Sequence, residues 1–69
     1  MKLSARNILK GTVKAVTHGA VDSEVTIELS PGVEIVSIIT KSSADSLGLA
    51  VGKPAYAIIK APNVILAVD

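Results

Sequence analysis

Ser4, Arg6 and Asn7 stand together at the mouth of an apolar stretch, Ile8-Leu9-Lys10-Gly11-Thr12-Val13. Side chains of an extended chain alternate between faces, so Ser4 and Arg6 point the same way with backbone N–H groups between them. A hydroxyl beside a guanidinium fork is a set of hydrogen-bond donors. It offers no metal-ligand set, and the hydroxyl has no neighbouring base to make it a nucleophile. The ligand such a set suits is a small anion.

The rest of the composition narrows the chemistry further. His18 is the single histidine and there is no cysteine, whereas a transition-metal site needs several N or S ligands. Asp22, Glu24 and Glu28 alternate along one stretch and are read as a solvated strip; a catalytic carboxylate pair needs one member shielded. No Ser–His–acid or phosphate-loop spacing occurs, so no enzymatic activity and no cofactor is expected. With a net charge of +1 and Tyr56 as the only aromatic residue, the chain lacks the basic groove and stacking platform of single-strand binders, and nucleic acid is not an expected partner. Met1-Lys2-Leu3-Ser4 does not begin a signal peptide and no apolar run can span a bilayer, which points to the cytoplasm and away from membranes.

At 69 residues the expectation is one domain, residues 1–69, near the lower limit for a self-supporting core. Nine valines and eight isoleucines among 49% hydrophobic residues favour strands. Residues 7–17 alternate, with Leu9, Val13 and Ala15 on one face and Lys10, Thr12 and Lys14 on the other; Gly11, on the apolar side, marks a bend or a close backbone approach. His18-Gly19-Ala20 reads as a turn. Residues 21–29 form a strand with Val21, Val25, Ile27 and Leu29 inward. Ser30-Pro31-Gly32 turns into a third strand, 33–40, which is apolar on both faces, as are 55–59 and 64–68. Strands apolar on both sides need both sides covered, so a partner subunit or an exchanged end strand is expected. Between the third and fourth strands, Ser42 or Ser43 is the expected N-cap of a short helix, Leu47 its core contact and Gly48 its end. The layout β-β-β-α-β-β predicts an all-β, five-stranded OB-like Greek-key barrel with one short helix between strands three and four.

In that order, Ser4-Ala5-Arg6-Asn7-x-Leu9-x-Gly11, His18-Gly19-Ala20-Val21, Ser37-Ile38-Ile39-Thr40-x-x-Ser43, Leu47-Gly48-Leu49 and Ile59-Lys60-Ala61 resemble the Mop family, the molbindins, small cytoplasmic molybdate-binding proteins. The resemblance runs over essentially the whole chain. It implies an OB-like barrel, dimers formed by strand exchange, a homo-hexamer built as a trimer of dimers, and molybdate or tungstate bound at subunit interfaces. It further implies side-chain donors at Ser4, Arg6, Ser43 and Lys60, backbone N–H groups at Ala5, Asn7 and Ala61, and a second kind of site at Gly19 and Ala20. Related domains are fused to a molybdate-responsive regulator and to an importer ATPase. This sequence contains neither a helix-turn-helix nor a P-loop and so resembles the free-standing form that stores or buffers the oxyanion; the alternatives are a sensory or docking subunit of a transporter or regulator and, less suited, an OB-fold nucleic-acid-binding module.

Each of these residues also has a plain structural reading. Arg6 can be a solvated strand residue and Lys60 an edge-strand guard against aggregation. Ser43 is accounted for by capping, and Asn7 by an amide that satisfies backbone near the strand start.

Overall fold

The computed structural model describes residues 1–69. Four strands, β1 (Asn7–His18), β2 (Asp22–Ser30), β3 (Val33–Thr40) and β4 (Pro54–Ile59), lie in one antiparallel sheet in the order β3-β2-β1-β4. A short helix, α1 (Lys41–Leu47), follows β3, and a single 3-10 turn, Ala61–Asn63, follows β4.

The long strand β1 sets the curvature. Its first half pairs with β4, from Asn7 opposite Ile59 to Thr12 opposite Pro54, and its second half with β2, from Thr12 opposite Glu28 to His18 opposite Ser23. The change of partner falls beside Gly11, where a Cβ would lie 2.5 Å from the Glu28 carbonyl oxygen and 2.5 Å from Ile27 Cγ2. The close approach predicted for this glycine is therefore the reason for it. A β-bulge between Val13 and Ala15 then shifts the register. Because side chains alternate, one extra residue exchanges the faces: Val16 packs on the core and Ala15 is exposed, correcting the expected inward Ala15.

In β2 the inward positions are Ser23, Val25 and Ile27, all buried. Val21 precedes the strand and is exposed, against expectation; its carbonyl accepts from Lys41 N–H at 2.7 Å. Ser23, which sequence alternation passes over for want of a hydrophobic side chain, is tolerated inside because its hydroxyl shares a 2.6 Å hydrogen bond with His18 Nδ1.

In α1 the cap is Thr40, whose hydroxyl oxygen accepts from Ser43 N–H at 3.1 Å; neither Ser42 nor Ser43 caps the helix, since Thr40 already holds the extended conformation a cap requires. Gly48 closes the helix in the left-handed region at φ 64° as predicted. The helix docks through Ala44 instead of Leu47, which is exposed at the rim. Only Val13, Val25 and Ile27 form the fully buried core cluster, with Ile35, Ile39, Leu49, Ala55 and Ala57 packed around it.

The expected fifth strand is the main departure. Val64–Val68 pairs with nothing in its own chain, and Ile65, Leu66 and Val68 are 93%, 88% and 98% exposed. Without it the sheet curls into an OB-like half-barrel. Its open side is an apolar groove of about 300 Å³ whose lining includes Ile35, Ile39, Leu49, Ala57 and Ile59.

Candidate functional site

The pairing of β1 with β4 brings Arg6 and Lys60 together across more than fifty residues of sequence. The last pair of that ladder is Asn7 with Ile59. One step beyond it in an antiparallel register stand Arg6 and Lys60, and one step further Ala5 and Ala61. The Asn7 side chain pins this end of the ladder, its Nδ2 donating to the Ile59 carbonyl at 3.2 Å. The amide thus serves backbone, as its structural reading proposed.

Past the ladder the two chains splay, and Leu3, Ser4, Ala5, Arg6, Lys60, Ala61 and Pro62 line one concavity. Lys60 precedes the Ala61–Asn63 turn, with Pro62 fixing the turn's start. Ala61-Pro62-Asn63 reads as a turn in the sequence, and a turn stands there; what the sequence reading missed is that Leu3 and Pro62 wall this cleft.

The protein's ion pairs all belong to Lys14, which bridges Glu28 at 3.7 Å and also pairs with Glu34. Arg6 and Lys60 have no carboxylate within ion-pair distance. Two cations therefore share one cleft with a hydroxyl and no carboxylate, an arrangement that a bound anion would relieve. No group of three or more His, Cys, Asp or Glu side chains is placed to hold a metal ion.

The remaining sequence-predicted residues lie elsewhere. Ser43 sits in the first turn of α1, its hydroxyl accepting from Thr40 Oγ1 at 2.7 Å. Gly19 and Ala20 occupy the β1–β2 turn, where Gly19 N–H donates to the Asp22 carbonyl at 2.7 Å. Thr40 pairs with Asp22, and Lys41 bonds to Val21, so these two features share one end of the molecule. That end is the His18 end of the twelve-residue β1, and the cleft is at the Asn7 end. Within a single chain the candidate residues thus form two groups at opposite ends of one strand.

A curled β-sheet with one short helix and a cationic cleft at the mouth of its longest strand defines a small OB-like domain of the binding kind. A family model described as the TOBE domain matches residues 3–66, and the chain belongs to that family. It is 44% identical over 69 residues to a probable molybdenum-pterin-binding protein of Haemophilus influenzae, with both chains covered in full. It is 48% identical over 66 residues to the molybdenum-pterin-binding protein MopA of Rhodobacter capsulatus, covering 96% of this chain and 25% of that one. Among solved structures it superposes with a TM-score of 0.94 and 55% identity on ModG, described as a cytoplasmic molybdate-binding protein and crystallised with molybdate bound, covering 100% of this chain and 49% of that one. The chain therefore spans about a quarter of several of the curated relatives it matches and the whole of others.

Proposed function

We propose that this protein binds a tetrahedral oxyanion, molybdate or tungstate, in the cleft between Arg6 and Lys60, and holds it in the cytoplasm as a store or buffer. The observation that carries this reading is the meeting of Arg6 and Lys60 beside Ser4 with no carboxylate to neutralise them. The relatives' names and the molybdate bound to ModG support the choice of anion.

The donor set also argues for selectivity. Molybdate and tungstate are fully deprotonated near neutral pH and accept on every side. Phosphate retains a proton that needs an acceptor, and neither cationic head offers one; the Ser4 hydroxyl is the one cleft side chain that can take it. Sulfate matches the charge but has shorter bonds to oxygen, so a site sized for molybdate leaves some hydrogen bonds long. The expected order is molybdate close to tungstate, then sulfate, then phosphate. Competition titrations at fixed ionic strength test it: phosphate or sulfate displacing molybdate at comparable concentration would overturn this donor-rich, size-matched site.

The pterin in the relatives' names fits the residues less well than the bare anion. No aromatic side chain lines the cleft, and Tyr56, the one aromatic, lies on β4 with Lys10 Nζ 5.8 Å from its ring centroid.

Ser43, Gly19 and Ala20 lie too far along β1 to join the Arg6 cleft of their own chain, which supports a site completed by a second copy. The apolar groove and the exposed segment 64–68 support the same assembly, the segment of one copy closing the half-barrel of another. Burying a Val, Leu or Ile side chain contributes about 1.5–3 kcal/mol, so the exchanged Ile65, Leu66 and Val68 supply much of what the small core of one chain lacks. A hexamer made as a trimer of such dimers is the assembly we expect.

A further inference from the structure

We infer, resting on the anion-binding reading of the cleft, that it also takes small acyl phosphates and that Lys60 is a modification site, acylated by them at Nζ. The protein has six lysines, all exposed. Lys14 is paired with Glu28 and Glu34, and the Lys10 ammonium lies over the Tyr56 ring. Lys2, Lys41 and Lys53 have no carboxylate partner, but none of them lines the cleft; Lys60 does, and shares it with Arg6. Arg6 supplies a planar fork that holds a phosphoryl group through two parallel hydrogen bonds. Lys60 supplies a primary amine, a nucleophile toward carbonyl carbon once it is neutral. The two stand in facing positions one step past the Asn7–Ile59 pair, so a phosphoryl group held on Arg6 brings its acyl carbon into the cleft that Lys60 shares. The side chains of Leu3, Ala5, Ala61 and Pro62 give this cleft apolar walls, which suit a short acyl chain and add nothing to the binding of a bare oxyanion.

The protonation argument that disfavours inorganic phosphate favours this ligand. An acyl group withdraws electrons, so an acyl phosphate is a full dianion near neutral pH and brings no proton in search of an acceptor. Its bonds from phosphorus to oxygen are shorter than those of molybdate, so it binds less tightly than molybdate does. In the transfer, the neutral Lys60 amine attacks the acyl carbon. The nitrogen–carbon bond forms, the bond from that carbon to the phosphate oxygen breaks with its electron pair, and the amine's proton ends on the departing phosphate. The products are an amide and hydrogen phosphate, which now carries a proton that neither cationic head can accept and so leaves the cleft. Acylation removes one of the two cations, and the modified chain therefore holds molybdate less tightly.

The test incubates the full chain with acetyl phosphate and follows each lysine separately by peptide mass spectrometry. Lys60 is expected to acetylate at least about tenfold faster than Lys2, Lys41 and Lys53, a modest gain for a nucleophile held beside its bound donor. Arg6→Gln is expected to bring Lys60 down to the rate of those three, and molybdate at a concentration that saturates by calorimetry is expected to protect Lys60 selectively. N-hydroxysuccinimidyl acetate, an acyl donor with no phosphoryl group, is expected to show no preference for Lys60. The isolated chain acetylated at Lys60 is expected to bind molybdate roughly tenfold or more weakly. Lys60 reacting no faster than the other three would overturn the inference, as would a lead that survives Arg6→Gln, saturating molybdate or the change to the neutral ester. Each of these leaves the oxyanion reading standing, because molybdate binding is measured separately. Arg6-dependent acetylation of Lys60 in a chain that binds no molybdate would instead overturn the oxyanion reading and keep the modification site.

Discussion

At the scale of single residues, Arg6 and Lys60 are separable from the fold. Both are exposed, neither makes an ion pair, and the core cluster of Val13, Val25 and Ile27 lies elsewhere. Arg6→Ala and Lys60→Ala are therefore expected to weaken molybdate binding while leaving the unfolding midpoint unchanged. Losing a charge-assisted hydrogen bond costs about 1.5–3 kcal/mol, or roughly tenfold to more than a hundredfold in affinity; calorimetry finding both variants equal to the parent would dismiss the assignment. Thr40 and Ser43 separate capping from binding in the same way. The cap acceptor is Thr40 Oγ1 and the donor is the backbone N–H of Ser43. Thr40→Ala is expected to cost about 1 kcal/mol of stability, and Ser43→Ala, which keeps that N–H, close to nothing. Any loss of anion affinity in Ser43→Ala then reports binding; equal destabilisation by the two substitutions would return Ser43 to a capping role.

Among the elements, β1 bears most of the architecture because it is shared by two partners and bends between them. Gly11 stands at that change of partner, against the Glu28 carbonyl and Ile27. Gly11→Ala must push β1 and β2 apart, and overpacking of this kind costs about 1–3 kcal/mol. Urea titration at matched protein concentration checks it, and an unchanged midpoint would mean the strands give way freely. Across the same strands, Lys14 ties β1 to Glu34 of β3 and Glu28 of β2. The hydrogen bond and charge of Glu34, with those of Glu28, hold its pKa above the ordinary 10.5. A raised lysine pKa gives stability that is complete below 10.5 and fades as pH climbs through the folded value. The lysine is solvent-exposed, so the effect is small. Lys14→Gln is expected to remove the part of the alkaline loss of stability that begins above 10.5, and an identical alkaline profile for parent and variant would deny the bridge any role.

For the whole molecule, the isolated chain leaves much of its apolar surface uncovered: five of 69 residues are buried, and Ile65, Leu66 and Val68 are almost fully exposed. A domain this small gains little from so thin a core, so folding and assembly are expected to be coupled. The unfolding midpoint should rise with protein concentration, as mass action requires, and Ile65→Asp should abolish that rise by placing a charge in the groove of the partner. A folded monomer whose midpoint is independent of concentration would remove the basis for the exchanged strand.

Much of this was written locally in the chain. Alternation gave β2 to within a residue, the Ser30-Pro31-Gly32 turn set the start of β3, Gly48 marked the helix end, and Gly11 announced a close approach, because each depends on neighbours in sequence or on the absence of a Cβ. Ser4 and Arg6 were legible as donors from their types and spacing alone. What the sequence could not set was any relation that depends on register between distant segments. The bulge after Val13 reversed the faces of Ala15 and Val16; Thr40 took the cap from Ser43; and Val64–Val68, patterned as a strand, found no edge in its own chain. The tertiary structure alone decided that Asn7 pairs with Ile59, which sets Arg6 beside Lys60, and that Ser43 falls at the far end of β1. Pattern fixes which residues want burial or charge compensation, but which partner meets that need is a property of strand pairing across the chain, and for the C-terminal segment no such pairing exists within one chain.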